Sequence, residues 1–309
     1  MASKQQQSPL VRLRGIDVST QVPPASATAQ ELRPLLGRIL EEGLALLNSM
    51  PSGCQGEEEE GGEEGSKWKS KGIKTFAHSV SPVQLFERTM TDEGKGGRSG
   101  ETWAMRRSVH QDKAASGTAS WTEWERFIKR EHAESEKAFT PTVLSTHLRR
   151  SWDCAADVQD MTMGEDDSPW TDWTLKLQES VHKLPPPLQR RVFPVLQMTA
   201  SARHRRDFIV VQIAVRNHDD DDDKDNKDKA GAAAGAGVVS GAYTSVERVR
   251  DAVSPDQGVE WLMATTSDAR GLVPAWLQRL AVPGQIAKDV DLFLAWLVEE
   301  REKTRRRSS

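Results

Sequence analysis

Six strand-like segments follow one another in the second half of the chain with no helix between them, and one long apolar helix comes after them. Each segment is a short run of alternating or β-branched apolar residues, a pattern typical of β-strands. The six segments are LRRSWDCA, WTDWTLKLQESVHKL, RVFPVLQMTAS, DFIVVQIAV, AYTSVERVRDA and GVEWLMATTSD. Strands joined without helices form antiparallel meanders, and the apolar face of such a sheet must be covered. We expect the last helix, predicted from Pro274 to Glu300 with a bend near Pro283, to cover it.

The part of the chain before these strands mixes both kinds of element. IKTFAHSV (73–80) and ETWAMRRSVH (101–110) have the pattern of strands, whereas SPVQLFERTM (81–90) begins with Ser-Pro, which favours the start of a short helix. SWTEWERFIKREHAESEKAF (120–139) carries its aromatic residues on one side and opens with the Ser-x-x-Glu pattern of a capping box. We predict that it is an amphipathic helix packed on the sheet.

Two acidic runs, GEEEEGGEEG at 56–65 and HDDDDDKDNKDK at 218–229, have nothing to bury and are expected to be unstructured. Outside these runs the apolar content is that of a folded protein. Composition predicts a disordered N-terminus at 1–24, an acidic linker at 53–66, a folded domain at 67–300 with a disordered insertion at 217–238, and a basic tail at 301–309 that frays. The three- and four-residue spacing of Leu32, Leu36, Leu40 and their neighbours predicts a helix at 25–52.

Charge, cysteine content and missing motifs exclude several classes of function. The formal net charge of -4 comes largely from the acidic runs, and the chain lacks the basic face expected of a nucleic-acid-binding protein. The sequence shows no apolar leader and no apolar run of membrane-spanning length, and we expect a cytoplasmic monomer. Its two cysteines lie far apart in the sequence, so we expect both thiols to be reduced. No zinc, calcium, phosphate-loop or nucleophile-elbow pattern occurs, so we assign no metal ligand, cofactor or catalytic residue. Ser108 and His110 point the same way on one strand, but nothing identifies an acid that would orient the histidine.

The element order is that of the START-like, or helix-grip, fold, in which a curved antiparallel sheet wraps around a long C-terminal helix. Six segments are similar to a START-like family of unknown function found in fungi: RRSVH, GTASWTEWERFIKREHAESEKAFTPTV, HKLPPPLQRRVFPVLQMTA, FIVVQI, YTSVERV and VEWLMATTSDARGLVPAWLQRLAVPGQIAKDV. The resemblance covers residues 67–300 and implies an α+β fold with a cavity, here with an extra N-terminal helix. Members of the wider superfamily bind sterols, phospholipids or other hydrophobic molecules, and a minority are cyclases, hydrolases or chaperone partners. The resemblance brings no established catalytic residues with it.

Alternation along the strands predicts which side chains face such a cavity. We chose the more apolar face of the central strands and the apolar stripe of the last helix, where Pro283 and Gly284 are candidate hinge residues. The candidate ligand-binding residues are Trp103, Met105, Arg107, Leu177, Glu179, Val211, Ile213, Tyr243, Glu247, Trp261, Met263, Ile286, Val290 and Phe293.

Three of these candidates, Arg107, Glu179 and Glu247, are charged residues on otherwise apolar faces. Burying an unpaired charge costs several kcal/mol, so such groups are expected to be paired. One interpretation is a polar anchor for a ligand; the other is a shifted register, a β-bulge or a structural ion pair. The substitution Arg107→Met separates the two, since unchanged ligand affinity in a folded variant contradicts the anchor.

The sequence thus favours a protein that binds a hydrophobic ligand, a lipid or sterol, between the sheet and the C-terminal helix. A transient contact with a membrane surface, favoured by the basic REKTRRR segment, is part of this expectation. Two alternatives stay open. A cyclase- or hydrolase-type enzyme requires a polar cavity with a group of shifted pKa, and a ligand-free protein-interaction module requires a filled interior and an exposed apolar patch.

Overall fold

The computed structural model describes residues 8–50, 67–90, 100–154, 161–162, 169–184, 188–216, 238–252, 258–268 and 275–307. The strands are β1 (Ile16–Asp17), β2 (Lys69–Lys74), β3 (Val83–Met90), β4 (Glu101–His110), β5 (Val143–Trp152), β6 (Met161–Thr162), β7 (Pro169–His182), β8 (Arg190–Ala202), β9 (Asp207–Arg216), β10 (Val238–Ser240), β11 (Ala242–Asp251) and β12 (Val259–Asp268). The helices are α1 (Val18–Gln21), α2 (Ala29–Asn48), α3 (Trp121–Trp124), a π-helix (Glu125–Arg130), α4 (His132–Phe139) and α5 (Ala275–Arg307).

The strands pair in the order β2-β3-β4-β12-β11-β9-β8-β7-β5, and neighbours along this path are antiparallel. Short strands add to the path: β1 pairs with β9, β10 with β8 and β6 with β7. The last strand, β12, lies between β4 and β11, so the chain leaves the middle of the sheet just before α5 begins. The α+β helix-grip architecture expected from the element order is confirmed.

One face of the sheet, called the outer face here, packs against α2. This helix begins with a capping box of Thr28 and Glu31 and contributes a fully buried apolar stripe. A Cβ at Gly43 would lie 3.2 Å from Val211 and 3.3 Å from Ile209, so glycine lets α2 approach β9 closely. The apolar residues under α2 form one core with Leu32, Leu36, Ile39 and Leu40 of the helix: Trp103, Met105, Leu196, Met198, Ile209, Val211, Ile213, Val246, Leu262 and Ala264 among them.

The opposite face, called the inner face here, is covered by two helical segments. The C-terminal helix α5 lies over β3, β4 and β12, while the π-helix contacts β9 and α4 contacts β5. The predicted helix at 120–139 therefore reaches across the strands that α5 leaves uncovered, and its capping box at Ser120 and Glu123 is confirmed. No helix in the described part of the chain has an apolar stretch long enough to cross a bilayer.

The short helix predicted from SPVQLFERTM is wrong, because this segment forms β3. Val83 and Leu85 are buried on the inner face, and the strand pairs with β4 along its length. The alternation of apolar residues, which lets the segment bury one side in the sheet, prevailed over the local helix-start signal of Ser81 and Pro82.

The prediction of disorder at 1–24 is wrong for the described residues 8–24. Leu10, Val11 and Ile16 are buried, and the backbone N–H groups of Leu10 and Val11 donate to Glu42 of α2 at 2.6 and 2.8 Å. Residues 1–7, the acidic linker at 53–66 and the insertion up to residue 237 lie outside the described residues.

The fraying predicted for the basic tail also differs from the structure, where α5 continues to Arg307 with Pro283 inside it. Arg301 holds this end of the helix, since its guanidinium donates to both carboxylate oxygens of Glu123 at 2.6 and 2.7 Å and to the carbonyl oxygens of Ala115 and Thr118. These contacts explain why the helix does not end at Glu300.

Candidate functional site

The inner face of the sheet carries two adjacent rows of side chains, the first of mixed polarity and the second polar throughout. The first row crosses β3, β4, β12, β11 and β9 through the pairs of Leu85, Arg106, Met263, Glu247 and Val210. The second row crosses β12, β11, β9, β8 and β7 through Thr265, Ser245, Gln212, Gln197 and Lys176. Polar residues at these central positions are buried between the sheet and the helices, so they need partners inside the protein or in a ligand.

Arg106 lies at the centre of the first row. Its side chain is 1% exposed, its guanidinium carbon lies 3.7 Å from the ring centre of Trp261, and its Nη2 donates to Oε1 of Glu247 at 3.1 Å. Burial lowers the pKa of Arg106, and the charge of Glu247 opposes that lowering. The Nε and Nη1 atoms are buried and have no hydrogen-bond partner among the described residues. Two donors of a buried guanidinium are therefore left for an acceptor that these residues do not supply.

Glu247 is surrounded by donors on both of its oxygens. Trp261 Nε1 donates to Oε1 at 2.6 Å, and Nε2 of His132 lies 3.4 Å from Oε2. Burial by itself raises the pKa of Glu247, but His132 and Arg106 outweigh burial and hold this pKa below its usual value. For His132, burial opposes the charged form, yet Glu247 and the nearby Glu136 raise its pKa above the usual value. This arrangement favours an ionised Glu247 between two cations.

His132 is brought to this position by the junction of the π-helix and α4. Lys129 of the π-helix is buried, and its ammonium lies 2.5 Å from Oδ2 of Asp172 and 2.6 Å from Oγ of Ser201. Asp172 has a φ of 54° beside a register shift in β7, a conformation that Asp tolerates better than most residues. The ion pair thus fixes the π-helix on the sheet, and α4 starts with His132 directed at Glu247.

Asp289 of α5 and Tyr243 of β11 add two protonatable groups near Arg106. Burial raises the pKa of Asp289 to about 7, against the lowering effect of Arg106, and burial also raises the pKa of Tyr243. Both side chains can therefore donate a hydrogen bond to a ligand oxygen near neutral pH. Tyr243, Met263 and Asp289 are only half-buried. These three side chains therefore keep some accessible surface on an otherwise buried face.

Aromatic side chains close the part of the inner face on the other side of Arg106. Trp124 of α3 stacks on Phe293 of α5 with ring centres 5.1 Å apart and lies 4.8 Å from Trp261. His110 is buried against Trp124, and burial together with Arg106 lowers its pKa to about 3. Its Nε2 lies 2.9 Å from Oγ of Ser108, whereas Nδ1 has no partner in the described structure. A neutral, enclosed histidine without an orienting acid does not form a nucleophilic dyad.

The structure divides the candidate ligand-binding residues between the two faces. Seven lie on the inner face or are buried on α5: Tyr243, Glu247, Trp261, Met263, Ile286, Val290 and Phe293. The other seven lie on the outer face: Trp103, Met105, Arg107, Leu177, Glu179, Val211 and Ile213. The expectation that all of them line one cavity is wrong, because the more apolar face of β4, β7 and β9 is the one on which α2 packs. A ligand contact by the first seven stays a prediction.

The two charged candidates on the outer face have structural partners. Arg107 donates to Glu260 at 2.6 Å and to Gln84 at 3.0 Å, and Glu179 lies 2.8 Å from Arg149. The interpretation as structural ion pairs therefore applies to Arg107 and Glu179. Glu247 is the one of the three that lies on the inner face, where it pairs with Arg106.

Arg106, His132 and Asp289 were missed by the sequence reasoning. Arg106 occupies the polar side of a strand whose other side carries Trp103 and Met105, so it looked solvent-exposed. One signal was present: β9 reads FIVVQIAV, apolar on both sides, which indicates a strand covered on both faces. A sheet covered on both faces implies that the polar side of β4 is buried as well.

No group of three or more His, Cys, Asp or Glu side chains in the described ranges could hold a metal ion. Comparison with solved structures shows the fold. Human StAR-related lipid transfer protein 5 superposes with a TM-score of 0.51 at 11% identity, over 90% of this chain and 100% of that one. Human STARD10 superposes with a TM-score of 0.49 at 12% identity, over 94% of this chain and 87% of that one.

No curated protein matches the chain. A family model described as "Protein of unknown function (DUF3074)" matches residues 103–297, which is more than half of the 309 residues and includes β4, the π-helix and most of α5. The match contains Arg106, His132, Glu247 and Asp289. The chain therefore belongs to this DUF3074 family, and it has the START-like helix-grip fold.

Proposed function

We propose that the protein binds a lipid or sterol between the inner face and α5, with Arg106 donating hydrogen bonds to an oxygen of the ligand's polar end. The observation that carries the proposal is the pair of buried Arg106 donors, Nε and Nη1, without a partner among the described residues. Leaving such donors unpaired costs about 1–3 kcal/mol or more, so a ligand oxygen that meets them contributes both affinity and orientation. The START-like fold supports the proposal, since it provides a sheet and helix around one interior.

The apolar part of such a ligand contacts the half-buried Met263 and the apolar residues of α5, of which Ile286, Val290 and Phe293 are buried. Affinity then comes from apolar area, at about 25 cal/mol per Å², while Arg106 and the protonated Asp289 and Tyr243 select a ligand with a polar end. A molecule with no oxygen would leave the Arg106 donors unsatisfied.

Native mass spectrometry of protein purified from a eukaryotic host, followed by organic extraction, tests this proposal. Wild type is expected to retain a stoichiometric hydrophobic ligand. The variant Arg106→Met/Glu247→Gln removes both charges of the buried pair together and is expected to weaken binding about tenfold or more. Arg107→Met is the matched control, because it removes the adjacent guanidinium on the outer face and should leave the ligand content unchanged.

An empty wild-type protein that also fails to take up fluorescent sterols and phospholipids would overturn the proposal. So would a folded Arg106→Met/Glu247→Gln variant with undiminished ligand content. If Arg107→Met lost the ligand to the same extent, the anchor would lie on the outer face instead.

The pKa of Asp289, raised to about 7 by burial, favours one second candidate, an enzyme of the cyclase or hydrolase type. A carboxyl group that titrates near neutral pH can act as a general acid or base on a bound ligand. Mass spectrometry of the extracted ligand before and after prolonged incubation separates the two functions. A product formed by wild type but not by Asp289→Asn supports the enzyme, and unchanged ligand in both supports binding alone.

The proposal includes a cytoplasmic monomer that exchanges its ligand during transient contact with a membrane surface. Arg305, Arg306 and Arg307 form an exposed basic end of α5, which an anionic surface would attract. Flotation with anionic and with neutral vesicles tests this part, and replacement of the three arginines by Gln should abolish any preference for anionic vesicles.

A further inference from the structure

A polar pocket lies at the β5–β7 edge of the inner face, away from the buried Arg106. It has a volume of about 90 Å³ and is lined by Arg130, His132, Ala133, Glu134, Thr146, His147, Leu148, Lys176, Gln178 and Gln197. This volume holds several water molecules or one small polyatomic ion. Eight of its ten lining residues are polar or charged, so the pocket suits a polar group and offers little to a hydrocarbon chain.

Gln197 is a buried residue that lines this pocket. The side chain is 2% exposed and its Oε1 accepts from Nε2 of Gln212 at 3.2 Å, while Oε1 of Gln212 accepts from Oγ of Ser245 at 3.2 Å. This chain of hydrogen bonds runs in one direction, so the carbonyl oxygen of Gln197 is used and its NH₂ group remains as a donor. No acceptor for that NH₂ group occurs among the described residues.

Cationic donors surround the same space. Lys176 neighbours Gln197 across the β7–β8 pair and is half-buried, and no carboxylate of the described residues forms an ion pair with it. His132 turns Nε2 towards Glu247, while its Nδ1 is buried and has no partner in the described structure. Burial opposes the charge of His132, but Glu247 raises its pKa above the usual value, which favours a proton on both nitrogens. Glu134 is the pocket's one acidic lining residue and is exposed.

We infer that this pocket is a binding site for a phosphate-type oxyanion, held by Lys176, the NH₂ group of Gln197 and Nδ1 of His132. An oxyanion offers several acceptors to convergent donors, and charge-assisted hydrogen bonds are the stronger kind. The first turn of α4 lines the pocket as well, and its N-cap residue Glu131 makes no side-chain cap hydrogen bond. The site does not depend on the proposed lipid function, because it needs no apolar part of a ligand.

Isothermal titration of the full chain with inorganic phosphate, at constant ionic strength set with chloride, tests the inference. Wild type is expected to bind phosphate, and Lys176→Gln to bind it about tenfold or more weakly. Gln197→Glu keeps an oxygen for Gln212 but replaces the donor with a carboxylate, so binding should disappear. Lys183→Gln removes one exposed charge just beyond the end of β7 and should bind as wild type does.

Soluble short-chain phosphatidic acid and the corresponding uncharged diacylglycerol identify the source of the anionic group. Binding of both phosphatidic acid and inorganic phosphate, each lost in Lys176→Gln, supports a site open to the free anion. Binding of phosphatidic acid alone, again lost in Lys176→Gln, supports a lipid headgroup. Absence of binding of either probe to wild type at millimolar concentration, or equal binding to a folded Lys176→Gln, would show that the pocket holds water only and would overturn the inference.

Discussion

The two faces of the central sheet differ in how their buried charges are satisfied, although they share the same strands. Under α2 the outer face is mainly an apolar core that contains Leu36, Ile39 and Ile213, and all three guanidinium nitrogens of its buried Arg248 donate to Asp207 or Asn48. The inner face buries charged groups, Arg106 and Glu247, at the corresponding depth. Buried polar atoms without a partner among the described residues occur on both faces, but only on the inner face do two of them belong to one buried guanidinium, that of Arg106. Affinity for a ligand is therefore expected on the less apolar side.

The difference also assigns separate roles to the helices. The N-terminal helix α2 approaches closely enough to need Gly43, and the residues between it and the sheet are fully buried. Along α5 and α4, by contrast, Asp289 and His132 face the sheet with polar groups, and Tyr243 and Met263 keep exposed surface. Apolar burial stabilises both covers of the sheet, and the proposed ligand site lies under α5 and α4.

The largest effect of a single substitution is expected on the inner face, where Glu247→Ala would leave the guanidinium of Arg106 buried without its counter-ion. Breaking a buried pair by removing one partner costs about 3–5 kcal/mol of unfolding free energy. Urea denaturation followed by tryptophan fluorescence measures this loss. Arg106→Met/Glu247→Gln, which removes both charges, should recover most of it. A loss of less than 1 kcal/mol, roughly the value of a solvated surface pair, would contradict the buried character of the inner face.

On the outer face, Leu36→Ala should cost about 2–5 kcal/mol, because it removes buried apolar volume and leaves a cavity under α2. The same denaturation experiment measures it, and ligand affinity corrected for the folded fraction should not change. Val80→Ala serves as a control, since Val80 is 65% exposed and its truncation should have little effect on stability. A clear loss of ligand affinity in folded Leu36→Ala would instead show that the outer face contributes to the ligand site.

The sequence predicted the strands and one covered face of the sheet, but it predicted neither the second covered face nor which face carries the site. Hydrophobic periodicity located β4, β7, β8, β9, β11 and β12 because each buries an alternating set of side chains, and it located the buried stripe of α5 for the same reason. For β11 and β12 the chosen face was the inner one, as Glu247 and Trp261 show. For β4 and β9 the chosen face was the outer one. An apolar strand face indicates burial under a helix but does not identify the helix, and in these strands the face under α2 is the more apolar of the two.

The errors at β3 and at the N-terminus have a similar physical origin. Ser81 and Pro82 favour a helix locally, but Val83 and Leu85 gain more by burial on the inner face. Leu10 and Val11 lie in a polar context that suggests disorder, yet Glu42 of α2 accepts hydrogen bonds from their backbone. Contacts between distant segments decided both outcomes, and such contacts leave no local pattern in the sequence.

A smaller effect is expected at the edge of the inner face, where Arg301 fixes the end of α5 to α3. Burial by itself raises the pKa of Glu123, but the hydrogen bonds from Arg301 outweigh burial and lower it, so the pair is ionised at neutral pH. Arg301→Ala should cost about 1.5–3 kcal/mol, the range for hydrogen bonds to charged groups. Arg306→Ala is the matched control: Arg306 is 82% exposed and should contribute nothing measurable. Equal melting temperatures for the two variants would show that the hydrogen bonds of Arg301 contribute nothing measurable to stability. Apolar burial alone would then hold α5 on the inner face.

The effect that most sharply separates the faces is the pH dependence due to Asp289, which is gradual, at a small change per pH unit. Its folded-state pKa is raised from 3.8 to about 7 by burial, so between these values the folded protein retains a proton that the unfolded chain has lost. Stability from this group is therefore present below pH 3.8 and falls as pH rises to about 7, with a limiting slope of about 1.4 kcal/mol per pH unit.

Two histidines of the inner face also titrate, and they change stability with pH in opposite directions. The quantity to measure is therefore the difference in unfolding free energy between wild type and a variant. The raised pKa of His132 weakens stability as pH rises, whereas the lowered pKa of His110 weakens it as pH falls. Asp289→Asn is neutral at every pH, and its advantage in unfolding free energy over wild type should grow from acidic to neutral pH and then level off. For Leu36→Ala the difference from wild type should stay constant over the same range, because the substitution neither adds nor removes a titrating group. A flat difference for Asp289→Asn would mean that its carboxyl is solvated, and the inner face would then lack the desolvation on which its affinity for a ligand depends.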